Sequence, residues 1–77
     1  MLNKLKYYKE RKTVIVEEFE YIIIYKVDVD NEEVEVKYIG ENLISNNWFS
    51  DNWDLFITLS QDRCIEITEE EAFILLV

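Results

Sequence analysis

The segment from residue 18 to residue 30 alternates between apolar and charged side chains. One parity carries Phe19, Tyr21, Ile23, Tyr25, Val27 and Val29. Because successive side chains on a strand point to opposite faces, this alternation predicts a strand with one aromatic face on a core. Ile22 and Ile24 interrupt the charged parity, so we expect a helix or a partner chain to cover the second face as well.

A second alternating segment follows, and together the two predict a β-hairpin. Its apolar positions are Val34, Val36 and Tyr38, and its charged positions are Glu33, Glu35 and Lys37. A two-residue turn at Asp30-Asn31 would place Lys26 opposite Glu35 and Asp28 opposite Glu33. A turn at Asn31-Glu32 would instead place Lys26 opposite Lys37. We favour the first register because opposite charges attract across a strand pair.

The residues before this hairpin are harder to place. Val14 and Val16 lie on the opposite parity from Phe19, and one strand from residue 13 to residue 30 would exceed the usual limit of about 10 residues. A bulge near Glu17-Glu18 would resolve both points. The first 12 residues form a basic N-terminal arm, which we expect to be a short helix or an edge strand. Leu2, Leu5 and Tyr8 are three residues apart, a spacing that favours the helix.

After Gly40, the polar stretch from residue 41 to residue 52 predicts a loop around Trp48 and Phe49. The apolar positions between residues 53 and 59 predict a strand, and Trp53 is expected in the core. A turn at residues 60–63 and a short returning strand at residues 64–67 follow.

Thr68 and Glu71 have the spacing of a capping box, which predicts a helix over residues 69–76. We expect its apolar face to carry Phe73, Leu76 and Val77. The sequence therefore predicts one α+β domain spanning residues 1–77, with an antiparallel sheet of about four strands and the C-terminal helix packed on one face.

Charge is distributed unevenly along the 77 residues. Residues 1–12 carry five basic side chains against one acidic, a net charge of +4. Residues 13–77, the acidic body, carry three basic against sixteen acidic, a net charge of −13. Such a body repels nucleic acid and anionic lipid and attracts a basic protein surface, although acidity also serves solubility alone.

The composition excludes several kinds of chemistry. The chain has no His and one Cys, Cys64, so it lacks an imidazole base, a disulfide partner and a His- or Cys-based zinc site. We expect no enzymatic activity, no metal, no cofactor and no membrane span or signal segment, and we expect a cytoplasmic location, in the host cell if the protein is viral. Cys64 is interpreted as a small core residue.

The candidate partner-binding residues are acidic and aromatic. Six carboxylates share the parity opposite the aromatic face and could form a lattice on two strands: Glu18, Glu20, Asp28, Asp30, Glu33 and Glu35. Side chains on one strand face repeat every ~6.5 to 7 Å, comparable to the spacing of phosphates in nucleic acid. Trp48 and Phe49 lie among small polar residues, a mixture typical of binding loops.

No motif matches a named family. In its small size, strong acidity and lack of catalytic residues, the whole chain resembles the inhibitors that phages encode against host defence nucleases, including anti-CRISPR proteins and other DNA mimics. The resemblance implies an inhibitor that blocks the nucleic-acid site of a basic nuclease or regulator. The alternatives are an antitoxin or immunity protein and a homo-oligomeric assembly protein, for example a homodimer formed through Ile22 and Ile24.

Overall fold

A computed structural model describes residues 5–16, 19–40, 47–60 and 62–76. Five strands are present in these ranges: β1 (Leu5–Val14), β2 (Phe19–Asp28), β3 (Glu33–Ile39), β4 (Phe49–Asp51) and β5 (Ile65–Ile67). Helix α1 (Trp53–Leu55) continues as a π-helical turn (Phe56–Ser60), and α2 (Glu69–Leu76) ends the described chain. The α+β class is confirmed, with five strands instead of about four.

All five strands belong to one antiparallel sheet in the order β4-β3-β2-β1-β5. In the β2–β3 hairpin, Lys26 pairs with Glu35 and Asp28 with Glu33, so the preferred register is confirmed. The connection from β1 to β2 includes Glu17 and Glu18, so the predicted bulge lies outside the described residues.

The sheet is covered on both faces. Ile23, Tyr25 and Val27 of β2 pack on one face, the aromatic face, together with Phe56 from the π-helical turn. Ile24 lies on the opposite face, the helix face, where it is 0% exposed and packs in a cluster with Ala72 of α2. The cover expected over Ile24 therefore comes from the chain itself, which leaves this side chain unavailable to a second copy.

The strand predicted for residues 53–59 is wrong, because this segment is helical. The side chain of Asn52 caps α1 by accepting a hydrogen bond from the Leu55 N–H at 2.9 Å. The helical path turns Phe56 onto the aromatic face, where its ring lies 5.2 Å from that of Tyr25. Trp53, expected in the core, is half-buried against the same cluster. Tertiary burial of Phe56 outweighs the local alternation.

In the described part of the N-terminal segment, residues 5–14 form neither a helix nor an edge strand. β1 pairs with β2 along all ten of its residues and with β5 on its other side, so it is an inner strand. Successive side chains of β1 alternate between the two faces of the sheet: Tyr7 is buried on the helix face, and Tyr8 packs on the aromatic face. The spacing of Leu5 and Tyr8 that suggested a helix is thus coincidental. Leu2 lies outside the described residues.

The predicted capping box at α2 is confirmed. The Glu71 N–H donates to Thr68 Oγ1 at 3.1 Å, and the Thr68 N–H donates to Glu71 Oε1 at 3.4 Å. The predicted apolar face is only partly right. Ala72 is the buried residue of the helix, whereas Phe73 is 51% exposed and makes an edge contact with the ring of Tyr7. Val77 lies outside the described residues.

Replacing Thr68 with alanine tests the capping box. Thr68→Ala removes the acceptor for the Glu71 N–H and is expected to lower the free energy of unfolding by about 0.5 to 2 kcal/mol. Urea denaturation followed by circular dichroism measures the change. Thr58→Ala, at an exposed threonine in the π-helical turn, is the control and should change stability by less than ~0.5 kcal/mol. Equal effects of the two substitutions would contradict the assignment.

Candidate functional site

The turn between β2 and β3 is held by the side chain of Asp28. One carboxylate oxygen accepts from the Asn31 backbone N–H at 3.2 Å, and the other accepts from Asn31 Nδ2 at 2.8 Å. The Glu32 N–H closes the turn onto the Val29 carbonyl oxygen at 3.4 Å. Glu32 has a φ of 52°, in the left-handed region that costs a non-glycine residue roughly 1 kcal/mol. The turn therefore has a defined conformation.

This turn concentrates negative charge. We call Asp28, Asp30, Glu32 and Glu33 the acidic turn surface. Asp30, Glu32 and Glu33 are exposed, and no Lys or Arg within the described ranges forms an ion pair with any of the three. Asp51 of β4 borders this surface, because it lines the same hollow as Glu32 and Glu33. The sequence analysis did not select Glu32 or Asp51, although Glu32 adjoins the selected Glu33.

The other candidate carboxylates do not extend this surface into a continuous lattice. Glu35 Oε1 lies 3.3 Å from Lys26 Nζ, so its charge is partly neutralised. Glu20 is exposed opposite Thr13 at the other end of the sheet, about 26 Å along β2 from Asp28. Glu18 lies outside the described residues. The structure therefore brings Asp28, Asp30, Glu33 and Glu35 together and separates Glu20 from them.

The two aromatic candidates differ in their surroundings. Trp48 is half-buried in the cluster on the helix face, and its ring lies 4.5 Å from Lys26 Nζ and 5.2 Å from Lys37 Nζ. These cation–π contacts make Trp48 part of the sheet's own packing. Phe49 is 49% exposed at the edge strand β4 and contacts Tyr38. Of the two rings, Phe49 is the more available for a partner.

One carboxylate is buried in the sheet itself, at Glu10. Its Oε1 accepts a hydrogen bond from the Tyr25 hydroxyl at 2.8 Å, and its Oε2 lies 3.1 Å from Lys12 Nζ. A buried carboxylate is tolerated only when its oxygens are paired in this way. Tyr25 and Lys12 occupy both oxygens, so Glu10 serves the fold and offers no free group for chemistry.

Cys64 is half-buried against the cluster on the aromatic face. Burial raises the pKa of the Cys64 thiol to about 11, and the negative charge of Glu10 adds to the rise. Lys12 and Arg63 act in the opposite direction but do not cancel the effect of burial. The thiol is therefore protonated at neutral pH and a poor nucleophile, in agreement with its interpretation as a small packing residue.

Comparison of the chain with protein-family models, with curated proteins and with solved structures yields no match. In the described ranges, no helix is long and apolar enough to cross a membrane. The same ranges contain no group of three or more Cys, Asp or Glu side chains placed to hold a metal ion. Inference about function therefore starts from the charge and geometry of this chain alone.

The raised pKa of Cys64 predicts that its thiol reacts slowly in the folded protein. Relative to the reference pKa of 9.0, a pKa of about 11 lowers the thiolate fraction at pH 8 about 100-fold. Reaction of the folded protein with a disulfide reagent at pH 8 should be at least about tenfold slower than that of the same chain unfolded in urea, because the higher nucleophilicity of a more basic thiolate offsets only part of its lower fraction. The rate should continue to rise as the pH increases to 10. Rates within about threefold of each other in the two states would contradict the assigned burial.

Proposed function

We propose that this protein binds a basic surface of a nucleic-acid-binding protein through its acidic turn surface and blocks that surface. The target we favour is a nuclease or regulator whose groove normally holds DNA or RNA, as for a phage-encoded inhibitor acting in the host cytoplasm. The protein acts by occupying the groove in a stoichiometric complex and catalyses no reaction.

The observation that carries this proposal is the set of exposed carboxylates without cations at the end of the β2–β3 hairpin. Asp30 and Glu32 lie in the four-residue turn, Glu33 begins β3, and no described Lys or Arg pairs with them. Lys26 and Lys12 instead form ion pairs with Glu35 and Glu10, elsewhere in the sheet. Carboxylates without a neighbouring cation keep their full electrostatic attraction for an external basic groove.

The conformation of the turn also favours binding. The two hydrogen bonds from Asn31 to Asp28 hold the turn at the end of a paired hairpin. A surface that is ordered before association loses less conformational entropy when it binds. The hairpin can therefore present its carboxylates to a groove at little entropic cost, and exposed Phe49 on the neighbouring strand β4, opposite Val36, offers an apolar contact.

The test removes charge from the turn without disturbing its hydrogen bonds. The turn variant combines Asp30→Asn, Glu32→Gln and Glu33→Gln and retains Asp28. The matched control combines Asp54→Asn, Asp62→Asn and Glu70→Gln, which are exposed acids elsewhere on the chain. Both variants change the net charge from −9 to −6, so a difference between them reports the position of the charge and not its total.

Each form is immobilised and used to capture proteins from bacterial lysate, and captured proteins are identified by mass spectrometry. We expect wild type and control to retain a nucleic-acid-binding protein that the turn variant loses, and we expect added nucleic acid to release it. The rate at which the captured protein associates with the wild type should fall steeply as the salt concentration rises. Identical capture by all three forms, or simultaneous binding of the partner to nucleic acid and to this protein, would contradict the proposal.

A further inference from the structure

A second charged surface, of opposite sign, lies at the other end of the fold. It is a groove of about 410 Å³ on the helix face. Its lining residues are Lys9 and Arg11 of β1, Ile22 of β2, Arg63 of the turn before β5, and Ile65 of β5. The volume is within the range of roughly 300 to 1,000 Å³ that is usual for small-molecule sites. We call it the cationic groove.

Three cations converge on this groove without a partner of their own. Neither recorded ion pair in the described part of the chain includes Lys9, Arg11 or Arg63. The neighbouring Lys12 is different, because it pairs with Glu10 on the opposite face. In a chain with a net charge of −9, three unpaired cations around one concavity form a local positive potential that an anion would neutralise.

The sheet sets the spacing of these cations. Lys9 and Arg11 are two residues apart on β1, so they share a face at a separation of about 6.5 to 7 Å. Strand β5 pairs with β1 on the side away from β2, and Ile65 of β5 lies opposite Lys9. Arg63 lies two residues before Ile65. A ligand with several phosphate groups could therefore contact more than one cation at once, with Arg11 and Arg63 able to bind phosphate oxygens in a bidentate manner.

The groove also has two apolar side chains, one on each side of β1. Ile65 of β5 is 63% exposed although it lies on the helix face, and Ile22 of β2 is half-buried. Helix α2 covers Tyr7, Ile24 and Ile67 but does not enclose Ile65. An exposed isoleucine surrounded by cations fits a ligand that carries an apolar or aromatic body as well as its phosphates.

We propose that the cationic groove binds an organic polyphosphate of the nucleoside triphosphate class. The phosphates lie along Lys9, Arg11 and Arg63, and the base covers Ile65. A concavity of this size holds one nucleotide, and the negative charge of the rest of the chain disfavours a long nucleic acid, which would extend beyond the groove. The site is independent of the acidic turn surface and of the function proposed for it.

One acid in the vicinity opposes such a ligand. Glu20 lines an adjoining hollow that shares Arg11 and Ile22 with the groove. Its carboxylate repels phosphate and attracts Arg11, although the two are not within ion-pair distance. Neutralising Glu20 should therefore strengthen binding, an effect that loss of folding cannot imitate.

Isothermal titration calorimetry at low ionic strength tests the site with three probes: adenosine triphosphate, inorganic tripolyphosphate and adenosine. We expect adenosine triphosphate to bind most tightly, tripolyphosphate more weakly and adenosine least, because only the first fills both parts of the groove. The variant with Lys9→Gln and Arg11→Gln should weaken adenosine triphosphate binding by at least about tenfold. Glu20→Gln should tighten it about twofold.

The control for position is Lys6→Gln, which removes one exposed charge from the same strand on the opposite face. It should change affinity by less than about twofold. The proposal is overturned if adenosine triphosphate does not bind at millimolar concentration, if Lys6→Gln weakens binding as much as the double variant, or if Glu20→Gln fails to tighten it. Equal affinity for tripolyphosphate and adenosine triphosphate would overturn the assignment of the base to Ile65.

Discussion

The central strand β2 is apolar on both of its faces, and this property imposes the arrangement of the other elements. Ile23, Tyr25 and Val27 require one cover, and Ile24 requires another. Burying an isoleucine side chain stabilises a fold by about 1.5 to 3 kcal/mol, so neither face can be left to water in a domain of 77 residues. Helix α2 covers Ile24 on the helix face, and Phe56 of the π-helical turn after α1 covers the aromatic face.

The need to cover both faces of β2 also determines where the charged side chains lie. With both faces of the sheet covered near its middle, many of the described carboxylates lie at the ends of strands and in turns, where they remain hydrated. The acidic turn surface is one result, and among the described residues Lys26 and Lys12 pair with acids elsewhere in the sheet and not with its carboxylates. The unpaired Lys9, Arg11 and Arg63 remain at the opposite end. Both proposed binding surfaces therefore follow from how this small sheet is covered.

Local signals predicted the features that local chemistry determines. Alternation located the β2–β3 hairpin, charge pairing of Lys26 with Glu35 selected its register, and the Thr68–Glu71 spacing located α2. Features that depend on distant contacts were not predictable in this way. Residues 53–59 alternate like a strand but are helical because Phe56 packs on β2, and the cationic groove joins residues of β1 and β2 with a turn some 40 residues later in the chain. Parity also suggested a continuous carboxylate lattice, but Ile22, Ile24 and Lys26 separate Glu20 from Asp28 on the same face of β2.

The most direct test of this account is hydrogen exchange of the backbone amides of residues 23–27 at several protein concentrations. If the chain itself covers both faces of β2, these amides should be among the slowest to exchange, and their rates should not depend on protein concentration. Protection that increases with concentration would mean that a second copy supplies the cover, and fast exchange in β2 at every concentration would mean that the two-sided core does not exist.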